Sequence, residues 1–120
     1  MGKAAARFGC WDEVMAFALT LPGAEPSTSY GGPTVRIRGK PIVYPGREPG
    51  SFGIATPLPD KEILIETDPA TFWETDHYAG WPAVLVRYGS PEGERIETVI
   101  RRAWWDRASK AQRTEFGPRP

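Results

Sequence analysis

Five apolar side chains recur near the end of the chain at i, i+3, i+4, i+7 and i+8: Ile96, Val99, Ile100, Ala103 and Trp104. That spacing puts them on one face of a helix, predicted from about Glu92 to Ala108. A second stripe of Cys10, Val14, Phe17, Ala18 and Leu21 predicts a helix over about 11–21. Asp12 and Glu13 complement the dipole in its first turn, and Pro22-Gly23 ends it. Between these helices the period changes to two. Thr34–Arg38 alternates, with Val35 and Ile37 inward and Arg36 and Arg38 outward. Further strands are predicted over about 42–45 and 51–55, the latter with Phe52 and Ile54 on one face. Gly39-Lys40 has the look of a two-residue turn, but its closing bond would need the N–H that Pro41 lacks. A longer loop, Gly39-Lys40-Pro41, setting Ile37 opposite Val43, is therefore predicted. Residues 22–33 read as loop. Residues 60–67 fit helix or strand, and Asp60 as a cap favours a short helix. Asp68-Pro69 predicts a single helical turn.

The stretch from Phe72 to Arg87 contains Trp73, Trp81, the only histidine and the longest apolar run. Pro82-Ala83-Val84-Leu85-Val86 has no polar interruption, which predicts a strand covered on both faces. Pro82 cannot donate to a ladder and belongs at the strand's first position. The preceding Tyr78-Ala79-Gly80-Trp81 requires a sharp reversal, with Gly80 at positive φ. The rings of Tyr78 and Trp81 are expected to pack across that turn.

At 120 residues the chain is long enough for one domain. The expectation is a flexible start over 1–9, a single domain over 10–108 and a flexible tail over 109–120. Fifteen basic and 15 acidic side chains cancel, so no global field draws the protein to nucleic acid or an anionic membrane. Binding of that kind would need a local patch. The single cysteine, Cys10, excludes an internal disulfide and a cysteine zinc site, and its place in the apolar stripe reads as core. With no window long enough to span a bilayer and no signal-peptide apolar core, the expectation is a cytoplasmic protein without a membrane partner.

Several short motifs add a resemblance: Leu21-Pro22-Gly23, Ser29-Tyr30-Gly31, Val35 through Gly39-Lys40, Asp68-Pro69 with Phe72, His77-Tyr78, Gly80, and Pro82 through Val86. In this order and spacing, over roughly 10–108, they resemble the MmcQ/YjbR family of small bacterial proteins. The resemblance implies an α+β fold of two layers. It has an antiparallel sheet of about five strands packed with helices in the order α-β-β-β-α-β-β-α, as in YjbR-like proteins and secretion chaperones. It also implies DNA binding through a "double wing" of hairpins. The tryptophan pair Trp104-Trp105 departs from the family's usual small or aliphatic residues there.

Charge is polarised within the neutral total. Residues 34–47 hold Arg36, Arg38, Lys40 and Arg47 and no acid, whereas 60–76 hold six acids against Lys61. Those four cations are the candidate nucleic-acid contacts, since a basic hairpin can track phosphates. They equally fit the solvated face of an amphipathic strand, where charge guards an edge. Tyr30, His77, Tyr78 and Trp81, with Trp73, are the candidate lining of a groove for a protein, peptide or planar ligand. The same rings also fit core and corner packing. His77 has no second histidine for a metal and no serine motif, and Asp76 beside it points to the opposite face of an extended chain. It reads as a structural ring bonded to backbone. No acid, base and nucleophile converge, so neither an enzyme, a metal nor a cofactor is expected. The helical stripe carries the most direct test. Ile100→Asp is expected to unfold or aggregate the domain, and a soluble variant with an unchanged melting temperature would refute the assignment.

Overall fold

The computed structural model describes residues 8–29 and 32–120. Helix α1 (Trp11–Ala18) is followed by four strands: β1 (Ala24–Ser29), β2 (Gly32–Ile37), β3 (Lys40–Tyr44) and β4 (Ser51–Ala55). Then come α2 (Leu58–Thr67), the short β5 (Phe72–Trp73), a 3₁₀ turn (Asp76–Tyr78), β6 (Ala83–Arg87), α3 (Gly93–Arg107) and α4 (Lys110–Phe116). The sheet is antiparallel, in the order β1-β2-β3-β4-β6-β5. The two-layer α+β architecture is as expected, with six strands in place of about five. The additional strand is β1, within the stretch expected to be loop. Its sequence is Ala-Glu-Pro-Ser-Thr-Ser, which has no apolar alternation, and it pairs with β2 from Ala24↔Ile37 to Ser29↔Gly32. An edge strand can form on ladder bonds alone and tolerates Pro26.

The helices cover one face of the sheet. Val14 and Ala18 of α1, Leu64 of α2, and Ile96, Val99, Ile100, Ala103 and Trp104 of α3 join one core with Val35, Ile37, Phe52, Ile54, Phe72, Val84 and Val86. All five residues of the α3 stripe are buried. Each large one contributes roughly 1.5–3 kcal/mol before entropy is subtracted. Cys10 is the exception to the α1 stripe: it lies at the helix N-cap and is exposed, so the expected core position is corrected. The helix has not begun there, and an extended backbone turns the thiol away from the stripe.

The β2–β3 connection also differs from expectation. Ile37 pairs with Lys40, leaving a two-residue loop of Arg38-Gly39, both at positive φ (52° and 82°). Positive φ at both positions characterises the type I′ hairpin, whose twist matches the strands. Moving the loop back by one residue resolves the proline conflict. Pro41 then faces Arg36 beside the closing pair, at a position where an antiparallel ladder asks for no N–H. The ladder next jumps to Val35↔Val43, not Ile37↔Val43, making Ile42 the extra residue of a bulge. Both Ile42 and Val43 are thereby buried.

The segment expected as a flexible tail carries α4, started by a capping box between Ser109 and Gln112. The tryptophan pair fastens it. Trp104 donates Nε1–H to Pro22 O at 2.7 Å and meets the Phe116 ring at 5.1 Å. Trp105 donates to Gly117 O at 3.0 Å, and Arg113 lies over its ring. Arg119 then reaches Asp106 of α3 and Asp60 of α2. At the other end, residues 1–7 of the expected flexible start lie outside the described residues. Phe8 is buried against Phe17 and Phe52, because its ring completes the core beside α1.

Tyr88 packs on Phe52 with ring centroids 5.2 Å apart. Its phenol is pushed up to about 12, first by burial and then by the nearby Cys10. The unfolded phenol ionises near 10. The folded state therefore holds the proton more tightly. This stabilising difference is fully present below pH 10 and is lost as pH rises through 12. Urea midpoints are expected to fall across that window, and Tyr88→Phe is expected to flatten the fall. An identical alkaline limb in the variant would refute it.

Candidate ligand-binding surface

The aromatic stretch between β5 and β6 is a chain of turn bonds. Tyr78 N–H donates to Thr75 O, Ala79 N–H to Asp76 O, and Trp81 N–H to Tyr78 O at 2.9 Å. Gly80 takes the expected positive φ, 81°. Pro82 precedes β6 and offers its carbonyl to Thr56 N–H, so the missing donor costs nothing.

A lysine on α2 holds this loop. The Lys61 side chain is buried, and its ammonium donates to Tyr78 O at 2.7 Å and Trp81 O at 2.9 Å. It pairs with Glu74 at 2.7 Å. Three acceptors match its three donors, so the charge is buried fully partnered. The acceptors come from both ends of the loop, and one residue therefore fixes its shape. The sequence held a signal for this. Lys61 is the single base within the acidic run 60–76.

On the outer side of the loop, Tyr78 is buried and stands edge-on to His77, with centroids 5.2 Å apart at 83°. Trp81 stacks on the other side of His77 at 5.9 Å and 28°, and is 56% exposed. Arg47, from the β3–β4 loop, reaches the same ring, its Nη1 3.0 Å from His77 Nε2. A guanidinium can only donate, so Nε2 accepts and a neutral ring carries its proton on Nδ1. His77 is therefore bonded to a guanidinium, not to backbone as expected. The Arg47 loop is held by a close approach. A Cβ on Gly46 would lie 2.5 Å from Ser51 O, and its φ is 76°. Arg47, Glu48, His77 and Tyr78 line a shallow hollow of ≈ 350 Å³.

The structure therefore brings together His77, Tyr78 and Trp81 from the expected groove and adds Arg47 from the expected nucleic-acid set. Tyr30 lies outside the described residues. Trp73 stands apart on β5, donating to Ser51 Oγ with Arg87 4.4 Å over its ring.

The four cations do not form one patch. Arg38 and Lys40 are exposed at the β2–β3 turn. Arg47 lies beyond the other end of β3, whose five residues span about 17 Å. Arg36 is half-buried, and its guanidinium is used within the fold. It donates to Ser27 Oγ, Gly39 O and Thr28 O, tying β1 to the turn. Among the described residues no group of three or more His, Cys, Asp or Glu side chains could hold a metal ion. No described helix is long and apolar enough to cross a membrane.

Comparison with known proteins follows this geometry. The family model described as YjbR matches residues 19–105. Proteins of Mycobacterium bovis and Mycobacterium tuberculosis, described only as uncharacterized, are 40% identical over 50 residues. That match covers 42% of this chain and 39% of each relative, so the chain spans about two-fifths of their length. The crystal structure of a Deinococcus radiodurans protein of the domain family DUF419 superposes with a TM-score of 0.67. The superposition covers 95% of this chain and 92% of that one, at 15% identity, and the likeness is one of fold.

Lys61→Met tests the clip. It removes the ammonium, takes the ionic partner from Glu74, and leaves Tyr78 O and Trp81 O with only the backbone N–H groups of Trp81 and Ala83. The expected loss is about 3 kcal/mol by chemical denaturation, with faster amide exchange at Tyr78 and Trp81. Glu74→Gln keeps a partner for the ammonium on a side chain 38% exposed, and is expected to cost less than about 1 kcal/mol. Equal effects of the two substitutions would refute the clip.

Proposed function

The chain belongs to the YjbR family, and from that premise we propose that it is a non-catalytic binding protein whose ligand is an unpaired nucleic-acid strand. The observation that carries this reading is the exposed Trp81 indole, stacked on His77 beside the Arg47 guanidinium. An exposed ring held in place by Lys61 offers a flat surface already ordered before a base arrives. Base–aromatic stacking needs that geometry and no sequence-specific hydrogen bonds. Arg47 supplies the adjacent positive charge for a phosphate, and Arg38 and Lys40 supply two further cations across the sheet. Arg36 drops out of the contact set because it is half-buried and each of its three nitrogens is already bonded within the fold. The basic hairpin is thereby reduced to its turn. The combination of a stacking ring with few cations favours a single strand over a duplex, whose bases are already stacked.

The same exposed indole favours a second reading, a protein or peptide partner anchored on Trp81. Aromatic anchors dominate such interfaces. Salt separates the two, since a strand held by three cations loses affinity with a log–log slope near −2, at about 0.7 per contact.

The test is fluorescence anisotropy with a labelled single strand and its duplex. Micromolar binding is expected for the single strand, weaker for the duplex. Trp81→Ala is expected to cost about 1–3 kcal/mol, or roughly 5- to 150-fold. Arg47→Glu is expected to weaken binding and flatten the salt slope. No binding at low salt, or binding unchanged by both substitutions, would overturn the proposal.

A further inference from the structure

We infer that the hollow beside the aromatic surface reads one base of the bound strand, and that this base is guanine. The inference rests on the single-strand reading above and adds a specificity-determining residue to it, Glu48. The hollow of ≈ 350 Å³ is at the small end of ligand-binding sites. His77 is one of its walls and also carries the stacked Trp81 indole. A strand with one base on Trp81 therefore has a neighbouring base beside the hollow. Three polar side chains there are not used up by the fold. Glu48 is half-buried, yet its carboxylate has no hydrogen-bond or ionic partner among the described residues. The Tyr78 hydroxyl likewise has none, although the residue is buried and tyrosines so placed usually find a partner. Arg47 spends only one of its five N–H groups, on His77.

The base follows from what each side chain can exchange. A carboxylate accepts and a guanidinium donates. A ligand that suits both walls must present donors on one edge and acceptors on another. Guanine carries two parallel donors, N1–H and N2–H, on its pairing edge, matching the two oxygens of Glu48. Its O6 and N7 are the acceptor pair that fits the fork of Arg47, which keeps further N–H groups for a phosphate. Adenine and cytosine set their single amine next to an acceptor ring nitrogen, which Glu48 would face lone pair to lone pair. Thymine and uracil flank their one N–H with carbonyl oxygens, with the same result. The Tyr78 hydroxyl, donor and acceptor at once, can join from either edge. In a duplex, N1–H and N2–H are already taken by the paired cytosine. The contact with Glu48 is therefore open to an unpaired guanine and closed to a paired one, which agrees with a preference for single strands.

The test uses the full chain and fluorescence anisotropy. The probes are a labelled thymidine decamer and the same decamer with one central guanine, adenine, cytosine or hypoxanthine. The guanine strand is expected to bind about fivefold or more tightly than the others. Hypoxanthine, which lacks the N2 amine, is expected to lose most of that advantage, a readout that needs no variant to fold. Glu48→Gln replaces one acceptor oxygen by a donor, and is expected to bring the guanine-to-adenine affinity ratio close to one. If every strand binds equally, and all are weakened by Trp81→Ala, guanine selection is overturned while the single-strand reading stands. If no strand binds at low salt, that reading fails and this one with it. A guanine preference that survives Glu48→Gln would overturn the role given to Glu48.

Discussion

A single buried ammonium sets the geometry of the aromatic surface. Burying a charge is costly unless every donor finds an acceptor, and Lys61 meets that condition with two carbonyls of the loop and the carboxylate that precedes it. His77 and Trp81 face water, and Trp81 gains little from burial. The electrostatic requirement of one side chain on α2 therefore decides where Tyr78 and Trp81 stand. His77, carried between them, comes within reach of Arg47 from a different loop. Sheet and helix layers supply stability, and the lysine supplies the arrangement.

The C-terminal segment is held by a comparable economy. Two adjacent tryptophans on α3 point to different partners, one into the core and one toward the returning chain. Their N–H groups bind the carbonyls of Pro22 and Gly117, so both rings are buried or half-buried without a wasted donor. The bulk of the Trp104-Trp105 pair acquires a physical reason here. Bulk at these positions is what α4 and the chain after it pack against, and Arg119 closes the arrangement by bridging two helices.

What the sequence made legible was whatever burial imposes on spacing. The stripe from Ile96 to Trp104 and the unbroken run Ala83–Val86 describe α3 and β6 well, because a core face leaves a period behind. Gly80 was legible because a reversal without it would strain the backbone. β1 was not, since a polar edge strand needs only its neighbour's ladder and imposes no apolar pattern. The β2–β3 register was not legible, because Pro41 conflicts with a turn at Gly39-Lys40 but not with one at Arg38-Gly39, where the ladder asks nothing of a proline. The candidate site was legible in its members but not in its grouping. His77, Tyr78 and Trp81 are neighbours in sequence, whereas Arg47 joins them through tertiary structure, and the same structure withdraws Arg36 by giving its guanidinium three internal acceptors. Only the isolation of Lys61 among acids hinted at the clip.

The two edges of the sheet have a further consequence. β1 carries Pro26 and no large apolar side chain, and β5 is two residues long. An outside strand docking on β1 would meet a position without an N–H, and on β5 it would find too short a template for a continuous ladder. Recognition by strand addition, in which a partner's extended peptide lengthens the sheet, is thereby disfavoured at both borders. Substitutions on the protein's loops and helices can change what the surface presents without disturbing the sheet beneath.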